Sequence, residues 1–433
     1  MSPALQDKLS GELKYLYALD GRGIRPGLER VRVLLDELDN PQNSFRSIHV
    51  AGTNGKGSTC AIIASVLQSA GYKVGLYTSP HLLRFNERIR IDGEPISDER
   101  IIGYIRDMRR LADRIDSTFF ETITAMAFRY FREEGVDFAV LETGLGGRWD
   151  STNVVVPEVS VITPIGKDHE DRLGNTLAKI ALEKAGIGKP GVPCVLSKQR
   201  PAIRGVLGEA LRERGVPVIY APEACTLHVK QVQLDGQTVS AILPSGEFPD
   251  LFLPLIGDHQ LVNLQTALTA IEQLTGAQIS KDALQRGVCA TQWPGRLQLL
   301  RWEPLVLYDV GHNLHGIRSI VRTVRAIRPG KPVTTVLALS HKKKIDSIGK
   351  ALRLLGGKIH ISEIPDELSV PAEKLRRELL KDMPAEQIVV NPDLTSLLTE
   401  LTPALKKEDV LLILGSHYIA PAISLFFKNL FDK

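Results

Sequence analysis

A glycine-rich stretch with a single lysine sets the strongest constraint on how this chain folds. Residues 48–59 have the sequence Ile-His-Val-Ala-Gly-Thr-Asn-Gly-Lys-Gly-Ser-Thr: an apolar run, a turn of small residues, and hydroxyl side chains that open an apolar helix. Such a turn lets backbone N–H groups close around phosphate oxygens, while the helix N-terminus and Lys56 neutralise charge. Ser58 or Thr59 can reach a magnesium ion. The stretch therefore predicts a strand, a phosphate-binding loop and a helix, and with them nucleotide binding.

The loop is a variant of the usual Walker pattern. That pattern would place its first glycine at position 50, which is Val50 here, and a hydroxyl directly after Lys56, where this chain has Gly57. The alternative is a glycine-rich turn that serves packing alone. A lysine between two glycines has little use in such a turn, which favours phosphate binding.

Composition limits the classes of protein to which this chain can belong. Its 433 residues exceed what a single core supports, so two or three domains are expected. The formal charge of +4 comes from 54 basic and 50 acidic residues without a basic block, which does not indicate nucleic-acid binding. The cysteines are far apart, and neither a signal segment nor a membrane-spanning segment is recognised. We expect a soluble cytoplasmic protein without a disulfide framework or a zinc site.

Three further apolar segments end in polar residues that are candidates for ligand binding. Strands are predicted at about 73–77, 137–141 and 159–163, and Ser79, Glu142 and His169 follow them. In open α/β sheets, ligands bind at the carboxyl ends of the strands. Glu142 offers a hard oxygen that suits magnesium, and its alternative is a helix-capping or surface glutamate. His169 lies in an acidic turn and is a metal ligand, a general base or a surface residue.

The chain is predicted to divide near residue 294. From about 190 to 255, short strand patterns alternate with prolines and glycines, which predicts a β-rich elaboration of the first domain. An amphipathic helix with a polar face follows at 259–275. After the Gln-Trp-Pro-Gly-Arg segment at 292–296, strand and helix patterns alternate anew. We therefore expect domains at 1–293 and 294–433, the second being a smaller α/β sheet.

Polar residues near this division are candidates for contacts across a cleft. Asp309 ends a predicted strand, where it could accept a hydrogen bond from a ribose hydroxyl, and His312 or Asn313 could meet substrate. A helix N-cap at Asp309 or Asn313 is the alternative and does not exclude that role. Arg296 could reach phosphate or be a surface residue. On local evidence, Lys184 is a solvated helix lysine.

Six motifs in order resemble the folylpolyglutamate synthase and dihydrofolate synthase family of the Mur ligase superfamily. They lie at 49–58, 78–81, 142–153, 168–169, 183–187 and 309–313. The resemblance implies an α/β fold with a P-loop Mur-ligase-type ATPase domain followed by a smaller Rossmann-like α/β domain. It also implies that catalysis takes place in the cleft between the two domains.

The resemblance implies a role for each matching residue. The ATP contacts would be Gly52, Thr53, Asn54, Gly55, Lys56, Gly57, Ser58, Thr59, Asn263, Arg296 and Asp309. The magnesium ligands would be Ser79, Glu142 and His169, together with Lys184, which is carbamylated in relatives and would serve a second magnesium. A monovalent cation is a further candidate. Lys56, Lys184 and His312 would take part in catalysis.

The pterin-binding positions implied by the resemblance agree less completely with the family. They would be Arg25, Pro26, Gly27, Thr118, Phe119, Phe120, Glu121, Trp149, Asp150 and Ser151. Arg25 and Pro26 replace a more aliphatic or acidic pair, and Trp149 stands where leucine is common. Gly311, next to His312, replaces the usual alanine.

The implied reaction is ATP-dependent addition of L-glutamate to dihydropteroate and to folates through an acyl phosphate. A carboxylate is a poor acyl donor because oxide is a poor leaving group, so ATP must activate it. Alternatives are a monofunctional folylpolyglutamate synthase, a peptidoglycan-precursor ligase acting on a uridine nucleotide, or a nucleotide-binding switch without ligase activity. The resemblance implies a monomer whose partners are dihydropteroate or a reduced folate and L-glutamate, with no nucleic acid and no membrane.

Overall fold

The protein is described from a computed structural model that covers residues 3–23, 25–340, 345–364 and 369–427. The first domain is built on a sheet of eight strands in the order β4-β3-β2-β5-β1-β6-β7-β8. Only β3 and β4 at one edge are antiparallel to their neighbours. The strands are β1 Arg46–Ala51, β2 Val74–Tyr77, β3 Ile89–Ile91, β4 Glu94–Pro95, β5 Phe138–Glu142, β6 Val159–Ile162, β7 Cys194–Leu196 and β8 Val218–Tyr220.

Helices cover both faces of this sheet. They are α1 Pro3–Ala18, α2 Glu29–Asp36, α3 Lys56–Ser69, α4 Asp98–Arg114, α5 Phe119–Glu133, α6 Glu170–Leu173, α7 Leu177–Ala185, α8 Pro201–Arg212, α9 Ala221–Ala224, α10 Asp258–Ile271 and α11 Lys281–Cys289. Phe138 and Val140 of β5 share a core with α3, α10 and α11, whereas Ala139 and Leu141 share one with α1, α2, α4 and α5. Side chains alternate across a strand, so a strand covered on both faces is apolar throughout. This explains the continuous apolar runs in the sequence.

A small antiparallel sheet in the order β11-β10-β9 packs beside α10 and α11. Its strands are β9 Thr226–Val232, β10 Gln237–Leu243 and β11 Gly246–Leu253. The prediction of a β-rich elaboration over 190–255 is therefore wrong in its first half. The segments 194–196 and 218–220 are strands of the main sheet, joined by α8 in a parallel crossover. A short strand beside prolines and glycines gives no local sign of the sheet in which it pairs.

The second domain has a six-stranded sheet in the order β12-β13-β17-β14-β15-β16, parallel except for β12. Its strands are β12 Gln298–Arg301, β13 Leu305–Asp309, β14 Val333–Leu337, β15 Gly356–Ile361, β16 Ile388–Val390 and β17 Val410–Leu414. Its helices are α12 Leu314–Ile327, α13 Ile348–Leu352, α14 Ala372–Leu379, α15 Leu394–Ala404 and α16 Ala420–Phe426. The predicted pair of α/β domains is thus confirmed, while the exact boundary at 293/294 stays a prediction. Among the described residues, no helix is both long enough and apolar enough to cross a membrane.

Candidate active site

The glycine-rich loop connects the central strand of the first domain to a buried helix. β1 ends at Ala51 and α3 begins at Lys56, so residues 52–55 form the turn. Gly55 has a φ of 87°, and a Cβ there would collide with the side chain of Asn263 on α10. A Cβ on Gly57 would lie 2.7 Å from the ring of Trp293. Close approach from two other segments therefore requires glycine at both positions.

The backbone of the loop is held from the β6–α6 connection. The N–H groups of Thr53 and Asn54 donate to the carbonyl of Pro164 at 3.1 and 3.3 Å, and the Thr53 hydroxyl donates to the carbonyl of Gly166 at 3.0 Å. The first residues of α3 have N–H groups without an acceptor in their own helix. These N–H groups, beginning at Lys56, are the ones that the fold leaves for an anion at the helix N-terminus.

Lys56, Glu142 and Ser79 come together at the carboxyl edge of the sheet. The Lys56 ammonium lies 3.6 Å from Oε1 of Glu142, and the N–H of Ser79 donates to Oε2 at 3.3 Å. Glu142 is 5% exposed, so it is not a surface glutamate. Burial raises the pKa of Glu142 above its ordinary value, while Lys56 acts in the opposite direction. The strand ends predicted by the sequence thus meet beside the phosphate loop.

The donor set near Glu142 fits a hard cation. The hydroxyl of Ser58 is buried and has no hydrogen-bond partner among the described residues. Magnesium takes oxygen ligands and keeps several waters, with one or two carboxylates from the protein. Within the described part of the chain, no three His, Cys, Asp or Glu side chains form a cluster. Glu142 with nearby hydroxyls, water and a nucleotide phosphate is the arrangement that these residues can supply.

Lys184 is buried against the phosphate loop. Its ammonium donates to the carbonyl of Gly52 at 2.7 Å, and the residue is only 4% exposed. Burial, and next the charge of Lys56, lowers the pKa of Lys184 to about 7. The alternative of a solvated helix lysine is therefore wrong. Thr176 caps α7, its hydroxyl accepting from the Lys179 N–H at 3.2 Å.

His169 and Asp168 lie between the two domains. His169 has a left-handed φ of 50° before α6, and its side chain is 42% exposed. Oδ2 of Asp168 lies 3.4 Å from Nε2 of His312 and 3.5 Å from Nδ2 of Asn313. Nδ1 of His312 donates to the carbonyl of Val310 at 3.0 Å. Asp168, which was not among the predicted site residues, thus pairs with the second domain.

The phosphate loop also contacts the second domain directly. Asn313 caps α12 by accepting from the Gly316 N–H at 2.8 Å, and its amide group donates to Oδ1 of Asn54 at 2.9 Å. Nδ2 of Asn54 lies 3.0 Å from Nδ1 of His315. The N-cap alternative for Asn313 is therefore correct and coexists with a contact across the cleft.

Asp309 holds the segment that enters the second domain. Its carboxylate accepts from the N–H groups of Leu297 and Gly311 at 2.8 and 2.7 Å. Burial raises the pKa of Asp309 to about 6, and the nearby charge of Arg296 opposes this shift. Arg296 lines a small open cavity between the domains, together with Ser79, Glu142 and His417.

Asn263 lies on a buried face of α10. It is 2% exposed, and its amide donates to Oε1 of Gln260 at 2.9 Å. The polar face predicted for this helix therefore packs on the phosphate loop instead of facing solvent.

The predicted pterin-binding segments 25–27 and 118–121 are brought together by Arg30. Its guanidinium donates to the carbonyl of Arg25 at 3.0 Å and pairs with the buried Glu121 at 2.9 Å. Thr118 and Glu121 form a capping box at the start of α5, with the Thr118 N–H donating to Glu121 at 2.7 Å. Arg25 pairs with Asp116. Glu121 therefore has a structural function, and the Thr-x-x-Glu spacing is its sequence signal.

The third predicted pterin-binding segment, 149–151, combines an exposed aromatic ring with buried polar residues. Trp149 is 50% exposed, whereas Asp150 and Ser151 are buried. Asp150 accepts from the Leu145 N–H at 2.8 Å and from the Thr152 hydroxyl at 2.5 Å. The ring of Phe120 packs beneath Gly144 in the same connection, which links 118–121 to 149–151.

Sequence reasoning missed Arg88, which precedes β3. Its Nε donates to Nδ1 of His81 at 2.8 Å, and its guanidinium lies 5.4 Å from the ring centre of Phe119. Within the described residues, its Nη nitrogens have no hydrogen-bond partner and no carboxylate forms an ion pair with it. His81 lines the cavity between the domains. The neighbours of Arg88 come from distant segments, so no local pattern marks this residue.

Comparisons with known proteins identify the superfamily and then the family. Residues 50–271 match the Mur ligase middle domain, and residues 295–417 match the Mur ligase glutamate ligase domain. The chain is 36% identical to the dihydrofolate synthase/folylpolyglutamate synthase of Bacillus subtilis, over 96% of this chain and 98% of that protein. The corresponding protein of Escherichia coli is 33% identical over 79% of each chain.

Solved structures give the same assignment. Mycobacterium tuberculosis folylpolyglutamate synthase, solved with ADP and AMPPCP, superposes with a TM-score of 0.89 at 32% identity, covering 97% of this chain and 99% of that one. E. coli FolC in complex with DHPP and ADP gives a TM-score of 0.87 at 28% identity over 96% and 97% of the two chains. The chain belongs to the folylpolyglutamate synthase and dihydrofolate synthase family of the Mur ligase superfamily. It is an ATP-dependent ligase, so the predicted family, fold class and enzyme class are confirmed.

Proposed function

We propose that this protein adds L-glutamate to dihydropteroate, making dihydrofolate, and to reduced folates, extending their glutamate chain. The observation that carries the proposal is the placement of Lys56 and Glu142 beside the interdomain cavity that Arg296 of the second domain also lines. The names of relatives with both activities support it. We further propose that the protein acts as a monomer in the cytoplasm.

The first step is transfer of a phosphoryl group. The carboxylate of the pterin acid attacks the γ-phosphorus of ATP, an acyl phosphate forms, and ADP leaves. Lys56 and the N-terminal N–H groups of α3 stabilise the charge on the transferring group. The glutamate amine then attacks the acyl carbon, and phosphate leaves with the electron pair of the broken C–O bond. Closure of the cleft keeps out water, which would otherwise hydrolyse the acyl phosphate.

Two oxygen donors and one imidazole nitrogen at the edge of the sheet would hold magnesium. Ser79, Glu142 and His169 are the proposed ligands at one site. The Ser58 hydroxyl, which has no hydrogen-bond partner within the described part of the chain, lies in the first turn of α3, directly after the phosphate loop. Magnesium there would neutralise the charge on the phosphate oxygens. The second site is assigned to a carbamate on Lys184. The lowered pKa of Lys184 supports a carbamate there, because only the neutral amine reacts with carbon dioxide.

Residues of α10 and the second domain are proposed to contact the rest of the nucleotide. Asp309 already accepts two backbone hydrogen bonds, but each carboxylate oxygen has a further lone pair that can accept from a ribose hydroxyl. Arg296 lies in the cavity, and Asn263 contacts the phosphate loop. His312 is assigned to orienting or deprotonating the glutamate amine.

The pterin pocket is proposed to combine aromatic faces with a rigid polar frame. Phe119, which stacks on Tyr17 at 5.6 Å between ring centres, and the exposed Trp149 supply the faces. Asp150 is assigned a hydrogen bond to the pterin acid. Glu121 keeps Thr118 and the 25–27 segment in place through Arg30.

Arg88 is proposed to bind a carboxylate of the incoming glutamate. A buried guanidinium without an anionic partner is costly, and a bound carboxylate would compensate for that cost. We expect Arg88→Met to raise the KM for glutamate by roughly 10- to 100-fold, the effect of losing a hydrogen bond to a charged group. The KM for ATP should change little. Arg84→Met, which removes a nearby arginine already paired with Asp98, is the matched control, and equal effects of both variants on the glutamate KM would contradict the assignment.

The function is tested by glutamate-dependent ADP release with ATP and magnesium. Dihydropteroate and tetrahydrofolate are compared in parallel as the acid substrate, and release is expected with both. Release with tetrahydrofolate alone would assign the monofunctional alternative. Release only with a uridine-nucleotide peptide precursor would assign the peptidoglycan branch, and nucleotide hydrolysis independent of any acid would exclude a ligase.

A further inference from the structure

His49 is a wholly buried histidine in the central strand of the first domain, and the mechanism above does not use it. It lies in β1, where it pairs with Leu141 of β5 and Ser160 of β6, and it is 0% exposed. Burial lowers the pKa of His49 to about 3, so its ring is neutral at physiological pH. Three residues further along the chain, at Gly52, the phosphate loop begins. A polar ring at the centre of an apolar sheet requires a reason.

Within the described residues, the one hydrogen bond of the His49 ring leads to the turn assigned to the pterin acid. Nε2 of His49 lies 2.7 Å from the hydroxyl of Thr152, and that hydroxyl lies 2.5 Å from Oδ1 of Asp150. Asp150 also accepts from the N–H groups of Thr152 and Leu145 at 3.1 and 2.8 Å. Burial raises the pKa of Asp150, while these three donors act in the opposite direction and favour the ionised carboxylate, which can only accept.

The chain of hydrogen bonds from His49 through Thr152 to Asp150 is called the relay here, and the number of protons on its groups fixes the direction of each bond. A threonine hydroxyl has one proton, so if Thr152 donates to Asp150 it must accept from His49. His49 is then the tautomer with its proton on Nε2. In this tautomer Nδ1 of His49 carries no proton and can only accept. It has no hydrogen-bond partner among the described residues, so no donor reaches it in the interior of the sheet. The buried histidine thus fixes the orientation of the Thr152 hydroxyl.

We infer that His49 and Thr152 are positioning residues that hold Asp150 in the geometry needed to bind the pterin acid. The inference rests on the proposed function, because it takes Asp150 as a substrate contact. The strand that carries His49 also leads into the phosphate loop. The relay therefore fixes the position of segment 149–151 relative to the site of phosphoryl transfer. A small error in that distance is costly for a transfer between two bound substrates.

The test compares Thr152→Val with Thr152→Ser. Valine keeps the shape of threonine but has no hydroxyl, whereas serine keeps the hydroxyl. We expect Thr152→Val to raise the KM for dihydropteroate by roughly tenfold, the effect of losing one hydrogen bond to a charged group, with the KM for ATP unchanged. Thr152→Ser should restore the KM to within about twofold of the wild-type value, a difference smaller than one hydrogen bond produces. If the Thr152 hydroxyl only stabilised the fold, its loss would not raise the KM for dihydropteroate while leaving the KM for ATP unchanged.

A second readout is made on the wild-type protein. Nitrogen chemical shifts of histidine-labelled wild-type protein, with His49→Gln used to assign the signal, report which ring nitrogen of His49 carries the proton. A proton on Nε2 supports the relay, and a proton on Nδ1 overturns it. Equal KM values for dihydropteroate in the valine and serine variants would also overturn it. If the wild-type protein releases ADP with no pterin acid at all, the proposed function fails instead, and the two failures are thereby distinguished.

Discussion

Lys56→Ala is expected to lower kcat/KM for ligation by roughly a thousandfold, which is the scale of losing a preorganised charge at a phosphoryl-transfer centre. The ammonium of Lys56 lies 3.6 Å from Glu142 at the start of α3, in a region largely shielded from water. A charge placed there acts on the transferring group without competition from solvent. Alanine keeps the helix but removes this charge, so both kcat and kcat/KM should fall.

The measurement is glutamate-dependent ADP release at saturating ATP and magnesium. Lys230→Ala is the control, because Lys230 lies on the exposed β9 strand, outside the site, where it pairs with Asp250 of β11. The control should retain the turnover of the unchanged protein. Near-normal turnover of Lys56→Ala would show that the loop has been assigned wrongly.

Lys184→Ala is expected to lower kcat by roughly 100- to 1000-fold, as for loss of a group that stabilises transition-state charge. Short carboxylates such as acetate should restore part of that activity. Alanine would leave a space beside the carbonyl of Gly52, and a small carboxylate entering it would replace the oxygens of the proposed carbamate. If Lys184 acted as a cation, an added anion would not substitute for it.

The rescue experiment has a matched control in Lys189. This lysine also has a pKa lowered by burial, to about 8, but its ammonium donates to Asn153 and lies outside the proposed metal site. Whatever activity Lys189→Ala retains should not respond to acetate. Absence of rescue in Lys184→Ala, or equal rescue in both variants, would contradict a carbamate at Lys184.

Features set by neighbouring residues were predicted well from the sequence. The phosphate loop, with α3 beginning at Lys56, depends on glycines and a lysine within a few positions. The apolar run predicted at 137–141 became β5, Phe138–Glu142, because a strand buried on both faces admits few polar residues. Order along the chain also placed Glu142 and Ser79 at one edge, since parallel strands end together.

Features set by distant contacts could not be predicted from local sequence patterns. Lys184 looks like a solvated lysine because its acceptor, the carbonyl of Gly52, is 132 residues away. Arg88 contacts His81 and Phe119, and no spacing pattern in the sequence indicates that these three residues meet. Glu121 shows the opposite case, since the Thr-x-x-Glu spacing of its capping box with Thr118 is a local signal. Its assignment to the pterin pocket stays a prediction.

The hydrogen bonds of Asn54 with Asn313 and His315 couple nucleotide binding to closure of the two domains. Asn54 belongs to the loop that would surround the phosphates, so the second domain cannot swing away without pulling on that loop or losing these bonds. We therefore expect ADP to leave when the molecule opens for the finished product. A product that must receive another glutamate would then have to be bound afresh with new ATP, which makes each addition a separate cycle.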